Sequence, residues 1–255
     1  MNLPDHIARA EAALADLFDR HGRAALAFSG GKDSLTLLHL CRPWRDRLTI
    51  LWVNTGAMYP HMETFVRSQT EGWNLVEIRS DVPAYWEKFG IPASVLPTDH
   101  AIGGRGIPTK PLISPWSVCC TANLTQPMAA WMEAHPDVTG LLVGQRHVDY
   151  GRFDPTQMQG RLPLEVVAPL WAWTDDEIWA YVDRYSIELP EQYALGWRDS
   201  AQCAACPVWL KPEQIAYQRR RYPQLAQFVE QTAKQVYELA IEAARHELDA
   251  FEARP

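Results

Sequence analysis

Short apolar runs alternate with amphipathic segments over the first half of the chain. Apolar runs predict strands at residues 24–28 and 48–53, and residues 74–78 and 139–143 are candidates for a third and a fourth strand. Helical patterns are found over about 5–20, where Asp5 and Gly22 are expected to flank the helix, over 34–40, after Pro60, and over 121–133. Because strands that alternate with helices form parallel βαβ units, we expect an α/β fold: a doubly wound, mostly parallel sheet with helices on both faces.

The second half of the chain has a different pattern. A stretch rich in proline and glycine, residues 97–116, predicts a long loop. Its segment 103–106, together with Lys110, could fold over a bound ligand or stay disordered. Beyond Thr174 the pattern is mostly helical, and residues 212–252 predict one or two closing helices. We therefore expect an α/β domain at residues 1–207 and a helical C-terminal extension at 208–255.

Composition narrows the class of protein. Hydrophobic residues make up 47% of the 255 residues, which is enough for a sizeable core. A net charge of −7 argues against a protein that coats nucleic acid through bulk electrostatics. The sequence has no apolar run of about 18 residues and does not start with the pattern of a signal peptide. We expect a cytoplasmic protein whose five cysteines stay reduced or bind metal.

A glycine-rich turn lies between the first predicted strand and the next helix: Ser29-Gly30-Gly31-Lys32-Asp33-Ser34. Two adjacent glycines let backbone N–H groups approach an anion closely, and the helix start adds its positive end. Lys32 adds a full charge, and the hydroxyls of Ser29 and Ser34 add donors. The turn is not a Walker A loop, because G-x-x-x-x-G-K-[ST] is absent. It predicts a phosphate site, with an ordinary strand-to-helix turn as the alternative.

The six residues resemble the signature of the PP-loop ATP pyrophosphatases, which have the adenine-nucleotide α-hydrolase-like fold. The resemblance implies an enzyme that splits ATP between the α and β phosphates and transfers or releases AMP. It also implies that Ser29, Gly30, Gly31 and Ser34 bind the nucleotide. Lys32 and Asp33 would bind it too and take part in catalysis, with Mg²⁺ as the accompanying ion.

A second segment follows the next predicted strand. Asn54-Thr55-Gly56 and then residues 59–65 resemble the "D-T-G…F-P-E-T" segment of sulfate-assimilation members of that superfamily. These include the phosphoadenosine-phosphosulfate and adenosine-phosphosulfate reductases. Since open α/β sheets bind ligands at the carboxyl ends of their strands, Asn54, Thr55 and Gly56 are expected at the nucleotide. A simple chain turn is the alternative.

Four of the five cysteines form a pattern. Cys119 and Cys120 are adjacent, and Cys203 and Cys206 form a C-x-x-C pair. Four thiolates brought together usually ligate an iron–sulfur cluster or a structural zinc. The set resembles that of adenosine-phosphosulfate reductases and of DNA phosphorothioation ATPases, which implies a [4Fe-4S] cluster. Zinc and unliganded thiols are the alternatives, and Cys41 is predicted to be a buried apolar residue.

Flanking segments extend the resemblance to roughly residues 24–207. Residues 119–128 resemble the family's "C-C…K-V-x-P-L" helix, and residues 171–181 resemble its "P-L-x-x-W-T-x-x-D-V-W-x-Y" segment. Residues 193–197 continue the match toward the C-x-x-C pair. In the second of these segments, Thr174 and Glu177 predict a capping box.

Arginines follow the fourth predicted strand. The family has a "G-x-R…R" segment here whose arginines meet the anionic substrate, which implies catalytic roles for Arg146 and Arg152, with Arg161 as a further candidate. Guanidinium groups suit phosphate because they offer fork-shaped donors and stay charged. A solvated loop is the alternative. Residues 219–221 are three arginines, expected on a solvated helix face, with nucleic-acid contact as the alternative.

Two departures from the reductase pattern direct the functional prediction. Reductases use a cysteine in a C-terminal "E-C-G-L/I-H" tail, whereas no cysteine follows Cys206. The phosphate loop also keeps the form found in members that use ATP itself. We therefore expect an ATP pyrophosphatase with a [4Fe-4S] cluster that adenylylates a target, in the service of sulfur insertion into nucleic acid or a small molecule.

Two other functions stay open at this stage. One is a phosphoadenosine- or adenosine-phosphosulfate reductase that takes its thiol from another molecule, so that its nucleotide is a sulfonucleotide. The other is a non-catalytic, nucleotide-sensing subunit. The expected partners are an adenine nucleotide, a sulfur donor or thioredoxin-like protein, and a transiently bound nucleic acid or partner subunit; no membrane is expected.

Overall fold

Five parallel strands form the central sheet. The computed structural model describes residues 2–94, 113–149, 164–201, 203–208 and 210–252. Its strands are β1 (Ala24–Ala27), β2 (Leu48–Asn54), β3 (Asn74–Arg79), β4 (Ile91–Ala93), β5 (Ile113–Pro115), β6 (Gly140–Val143) and β7 (Glu165–Val167). The central sheet has the order β3-β2-β1-β6-β7, and every neighbouring pair is parallel. Strands β4 and β5 form a separate parallel pair.

Helices connect and cover these strands. They are α1 (Leu3–Arg20), α2 (Lys32–Leu40), α3 (Pro60–Gln69), α4 (Val82–Phe89), α5 (Trp116–Cys120), α6 (Gln126–Ala134), α7 (Asp175–Arg184), α8 (Glu191–Ala194), α9 (Pro212–Arg221) and α10 (Pro223–Glu252). A π-helical turn at Thr121–Thr125 joins α5 to α6. Within the described part of the chain, no helix is long and apolar enough to cross a membrane.

The sheet is buried on both faces. Ala24 and Leu26 of β1 pack in one core cluster with Leu14 of α1, whereas Ala25 packs in a second cluster with Met132 of α6. Successive side chains of a strand point to opposite faces, so a strand that is apolar at every position must be covered on both sides. The prediction of a doubly wound parallel sheet with helices on both faces is confirmed. The boundary between domains at residue 207 stays a prediction.

The predicted strands and the closing helices agree with the structure to within a residue or two, but other details were wrong. Asn2, not Asp5, caps α1; Asp5 is the third helical residue and completes the capping box. The helix predicted over 121–133 begins at Trp116 and passes through the π turn. Strands β4, β5 and β7 were not predicted, because three-residue strands carry too little pattern to be recognised. Helix α4 was also missed.

The strand order places one edge of the sheet for ligand binding. β1 is the central strand, with β2 on one side and β6 on the other. From β1 the sheet continues through β2 to β3 on one side and through β6 to β7 on the other, so the strand order reverses between β1 and β6. The segments that follow these two strands therefore run in opposite directions away from the sheet edge. Open α/β sheets bind ligands in the crevice that forms outside the carboxyl ends at such a point. The glycine-rich turn follows β1, and Arg146 follows β6.

Candidate functional site

The turn at residues 29–34 is closed by its own polar groups. The Gly31 N–H donates to Ser29 Oγ at 3.3 Å, and Ser34 Oγ donates to the Gly31 carbonyl at 2.9 Å. Gly30 has a φ of +73°, and a Cβ there would lie 2.9 Å from Val66 Cγ2. A side chain at Gly31 would overlap Ser200 Oγ. Both glycines are therefore required for the shape of this turn.

Tyr193 holds the start of α2. The backbone N–H of Lys32 donates to Tyr193 Oη at 3.0 Å. Burial raises the pKa of Tyr193 to about 12, so that its hydroxyl is neutral at physiological pH. From the sequence, this residue was expected only to extend the family resemblance. Its hydroxyl comes from α8, about 160 residues away, and only the folded chain brings the two together.

Two cations are buried side by side at the carboxyl edge of the sheet. Lys32 and Arg146 are each only 4% exposed. Lys32 Nζ lies 2.9 Å from Asp33 Oδ2, and Arg146 Nε lies 2.8 Å from Asp33 Oδ1. Asp149 contacts Arg146 as well: the backbone N–H of Arg146 donates a hydrogen bond to Asp149 Oδ2 at 3.1 Å. Burying a charged side chain costs free energy unless it is paired with an opposite charge. Here the carboxylates provide that pairing.

A second carboxylate bridges the same two cations. Asp175 Oδ1 lies 3.1 Å from Lys32 Nζ and 2.7 Å from Arg146 Nη1. It is the first residue of α7, directly after the capping Thr174. The predicted capping box with Glu177 is confirmed. The role of Asp175 was missed, since an acidic residue at a helix start is ordinary and only its contacts reveal a special position.

The two carboxylates differ in environment. Burial raises the pKa of Asp33, against the influence of Lys32 and Arg146. Burial also acts on Asp175, but the charges and hydrogen bonds of Lys32 and Arg146 prevail and lower its pKa. The Asp175 side chain is 56% exposed, against 18% for Asp33. Asp175 is thus an ionised group on the solvent side of the site, whereas Asp33 is largely enclosed by it.

The segment Asn54-Thr55-Gly56 makes a tight turn that reaches the cysteines. Asn54 Oδ1 accepts from the Gly56 N–H at 3.1 Å, and Gly56 has a φ of +70°. Thr55 is fully buried, with its Oγ1 at 3.3 Å from Cys203 Sγ. The structure thus connects this segment with the C-x-x-C pair, and its contact with a nucleotide stays a prediction.

The four cysteines come from two segments that approach each other. Cys119 accepts from Trp86 Nε1 at 3.4 Å, and burial raises its pKa. Burial raises the pKa of Cys120 and of Cys206 to about 12 each, and the negative charge of the other thiolates adds to the shift. Sulfur atoms of the two segments are therefore near enough to influence each other. Across the described ranges, no three His, Cys, Asp or Glu side chains are arranged to hold a metal ion.

The family can now be assigned. The sequence pattern of the phosphoadenosine phosphosulfate reductase domain matches residues 23–208, which is well over half of the chain. The chain belongs to this family. The match spans the glycine-rich turn, both cysteine pairs and α7.

One relative of this chain is distant in sequence. A protein of Methanocaldococcus jannaschii, itself uncharacterized, is 22% identical over 202 residues; the aligned part is 78% of this chain and 44% of the relative. This chain thus spans less than half of that relative's length.

Two solved structures show the same fold. The phosphoadenylyl-sulfate reductase of Candida auris, solved with phosphate, is 13% identical and has a TM-score of 0.53, over 76% of this chain and 87% of that one. The FMN adenylyltransferase of Candida glabrata, solved with FAD and inorganic pyrophosphate, is 16% identical and has a TM-score of 0.52. That second alignment covers 79% of this chain and 63% of the other.

The remaining predicted residues are not among those that form the site described above. Arg152, Arg161 and the loop residues 103–106 and Lys110 are outside the described residues, so their roles stay predictions. In the arginine run, Arg219 pairs with Glu230 and Arg221 pairs with Glu191, as expected of a solvated helix face. Cys41 is fully buried in the core, and burial raises its pKa, as predicted for an apolar role.

Proposed function

We propose that the chain is an ATP pyrophosphatase that adenylylates an acceptor. The observation that carries this proposal is the burial of Lys32 and Arg146 side by side at the carboxyl edge of the sheet. Two buried cations beside a glycine-rich turn suit a polyanion such as the pyrophosphate portion of ATP. The similarly folded FMN adenylyltransferase was solved with inorganic pyrophosphate, which supports a site of this class.

The proposed reaction uses these groups as follows. A nucleophile on the acceptor attacks the α phosphorus, the bond between that phosphorus and the α–β bridging oxygen breaks, and pyrophosphate leaves with the electron pair. Lys32 and Arg146 would neutralise the negative charge that develops on the leaving group. Gly30 and Gly31 would let the backbone approach the phosphates, and Asp33 would orient Lys32 and help to place Mg²⁺.

Asp175 lies between the two cations that we propose as the phosphate site. Its carboxylate bridges Lys32 and Arg146 at hydrogen-bonding distances. Because it is ionised and half-exposed, it can turn toward solvent, whereas the enclosed Asp33 stays. We infer that nucleotide binding exchanges the Asp175 carboxylate for a phosphate group.

We further propose that Cys119, Cys120, Cys203 and Cys206 hold a [4Fe-4S] cluster. The chemistry of the donor set suits such a group, since four thiols come from two segments and a Trp N–H and a Thr hydroxyl lie beside two of the sulfurs. The described side chains do not form a metal-binding group as they stand, so the cluster would have to draw the thiols together. When bound, a cluster supplies electrostatic stabilisation or sulfur and electron transfer. Because of this set of thiols, we propose that the adenylylation prepares nucleic acid or a small molecule for sulfur insertion. Zinc is the alternative metal.

The family match favours one second candidate. A phosphosulfate reductase would bind a sulfonucleotide at the same cations and would draw its attacking thiol from a thioredoxin-like partner. Cys41 cannot supply that thiol, because it is fully buried and its pKa is raised by burial.

Product analysis under anaerobic conditions separates these functions. The full chain is incubated with Mg-ATP, and parallel samples receive a sulfonucleotide with thioredoxin. We expect AMP and pyrophosphate from ATP, with water as the acceptor. Lys32→Ala should lower the rate by about 100-fold or more, whereas Lys234→Ala, at an exposed position, should not change it.

Each other result counts against the proposal. Sulfite from a sulfonucleotide with ATP unchanged would establish the reductase. Failure of both reactions, with ATP still bound, would favour the nucleotide-sensing subunit. Circular dichroism and thermal unfolding of Lys32→Ala show whether the variant is folded.

Metal analysis tests the cysteine proposal separately. Protein isolated without oxygen should contain iron and acid-labile sulfide in equal amounts. Cys203→Ser should lose both, whereas Cys41→Ala, which removes the one thiol outside the set, should keep them. Stoichiometric zinc without iron would contradict the cluster, and the lack of both metals would contradict metal binding by these cysteines.

A further inference from the structure

Helix α10 carries two apolar faces, and among the residues that the structure describes only one of them packs against other elements. Val229, Val236 and Ala243 are buried, and Val236 joins a cluster with residues of β4 and β5. A second set lies on a different side of the helix. Its members and their exposed fractions are Tyr237 with 48%, Ile241 with 53% and Leu248 with 55%.

The exposed set has the spacing of a helix-pairing seam. Tyr237, Ile241, Ala244 and Leu248 follow one another at intervals of four, three and four residues, and all are exposed. This is the heptad spacing that lines up a and d positions along one side of a helix. Isolated exposed apolar residues are common on proteins, but they do not repeat in this way. We call these four residues the α10 stripe.

We propose that the α10 stripe is a dimer interface between two copies of this chain, paired in antiparallel orientation. Charges beside the stripe select this partner. If Ile241 lies beside Ala244 of the partner subunit, then Glu238 lies beside Arg245 of the partner subunit. The twofold symmetry repeats this opposite-charge contact at the other end. A shift by one heptad in either direction would instead oppose Glu238 or Arg245 to its own copy.

Both charges are available for this pairing. Glu238 lies 3.7 Å from Lys234 within its own helix, and both side chains are largely exposed, so the contact is weak and easily exchanged. Arg245 lies two helical turns after Glu238 and is also exposed. The pair thus provides orientation and register, and the apolar stripe provides most of the contact.

The length of the stripe sets the strength of the dimer. From Tyr237 to Leu248 the helix rises by roughly 17 Å. An interface of that length is smaller than most stable dimer interfaces. We therefore expect a dimer that dissociates in the micromolar range of protein concentration, independent of nucleotide.

Sedimentation equilibrium of the full chain over a range of concentrations tests the proposal. We expect a monomer–dimer equilibrium that Ile241→Glu abolishes. Glu238→Arg and Arg245→Glu should each weaken the dimer by about tenfold or more, because each replaces two attractions with two repulsions. The double variant E238R/R245E should restore it. Glu242→Arg makes the same charge change beside the stripe and should have little effect.

Three results would overturn the inference. A monomer at every concentration would exclude self-association. A dimer that survives Ile241→Glu would place the interface elsewhere. Failure of the double variant to restore a dimer that both single variants weaken would exclude the antiparallel register. Circular dichroism of each variant confirms that α10 is still helical, since all four substitutions are at exposed positions.

Discussion

At the residue scale, the site is governed by two buried cations that share two carboxylates. Lys32 and Arg146 both contact Asp33 and Asp175. Asp149 is a third carboxylate, 3.7 Å from Arg146, so the positive charges of the two cations are fully matched before any ligand enters. The sequence motif identified Lys32, Asp33 and Arg146, because their neighbours in the chain form a recognisable pattern. It did not identify Asp175, because that residue matters only through tertiary contacts.

Removal of the Asp175 charge tests the exchange with phosphate. Asp175→Asn should bind inorganic pyrophosphate about tenfold more tightly than the unchanged chain, since a competing anion between the two cations is gone. Asp176→Asn, the same change at the next residue, should leave the affinity nearly unchanged. Isothermal titration calorimetry gives both values. Weaker binding by Asp175→Asn would mean that Asp175 serves the ligand, as a Mg²⁺ ligand would.

At the element scale, two short structures position those residues. The turn between β1 and α2 places Lys32, and the N-terminus of α7 places Asp175. Both could be predicted from sequence, one from its adjacent glycines and the other from the Thr174–Glu177 capping box. The three-residue strand β7 that leads toward α7 could not, because it is too short to show a period.

The turn should not tolerate a side chain at Gly30. Gly30→Ala forces a left-handed conformation on an L residue and brings the new Cβ to 2.9 Å from Val66 Cγ2. We expect the free energy of unfolding to fall by about 2 kcal/mol. Gly22→Ala is the control, because nothing lies within 4 Å of a Cβ at that position. Urea denaturation measures both, and equal stability of the two variants would contradict this account of the turn.

The hydrogen-bonded cap of α7 should make the stability of the fold depend on pH. Burial acts to raise the pKa of Glu177, but hydrogen bonds from Thr174 and the charge of His6 prevail and lower it from 4.5. A carboxyl whose folded pKa is lowered stabilises the fold above its unfolded pKa and loses that effect as pH falls through its folded pKa. The stability difference between the unchanged chain and Glu177→Gln should thus be greatest above pH 4.5 and shrink in acid. A difference that stays constant down to acid would contradict the prediction.

At the scale of the whole molecule, the sheet brings distant segments to one edge. The chain order of strands and helices was enough to predict the parallel sheet, because β1, β2 and β6 are continuous apolar runs. Three contacts that complete the site could not be predicted from such patterns: the hydroxyl of Tyr193 of α8 at the start of α2, Thr55 beside Cys203, and Asp175 beside Lys32. The contacts of Tyr193 and Asp175 with Lys32 and of Thr55 with Cys203 each join segments that are more than a hundred residues apart, and nothing local in the sequence encodes them. The α10 stripe likewise could be recognised only from the exposed fractions of its side chains. The sequence pattern alone does not distinguish an exposed apolar face from a face that packs in the core.

The central claim is that Lys32 and Arg146 form a pyrophosphate site, and a binding titration tests it most directly. Inorganic pyrophosphate with Mg²⁺ is titrated into the unchanged chain, Lys32→Ala and the exposed control Lys234→Ala. The account predicts binding by the unchanged chain and the control, and an affinity at least about tenfold lower for a folded Lys32→Ala. Equal affinity of all three proteins, or no binding by any of them, would contradict it.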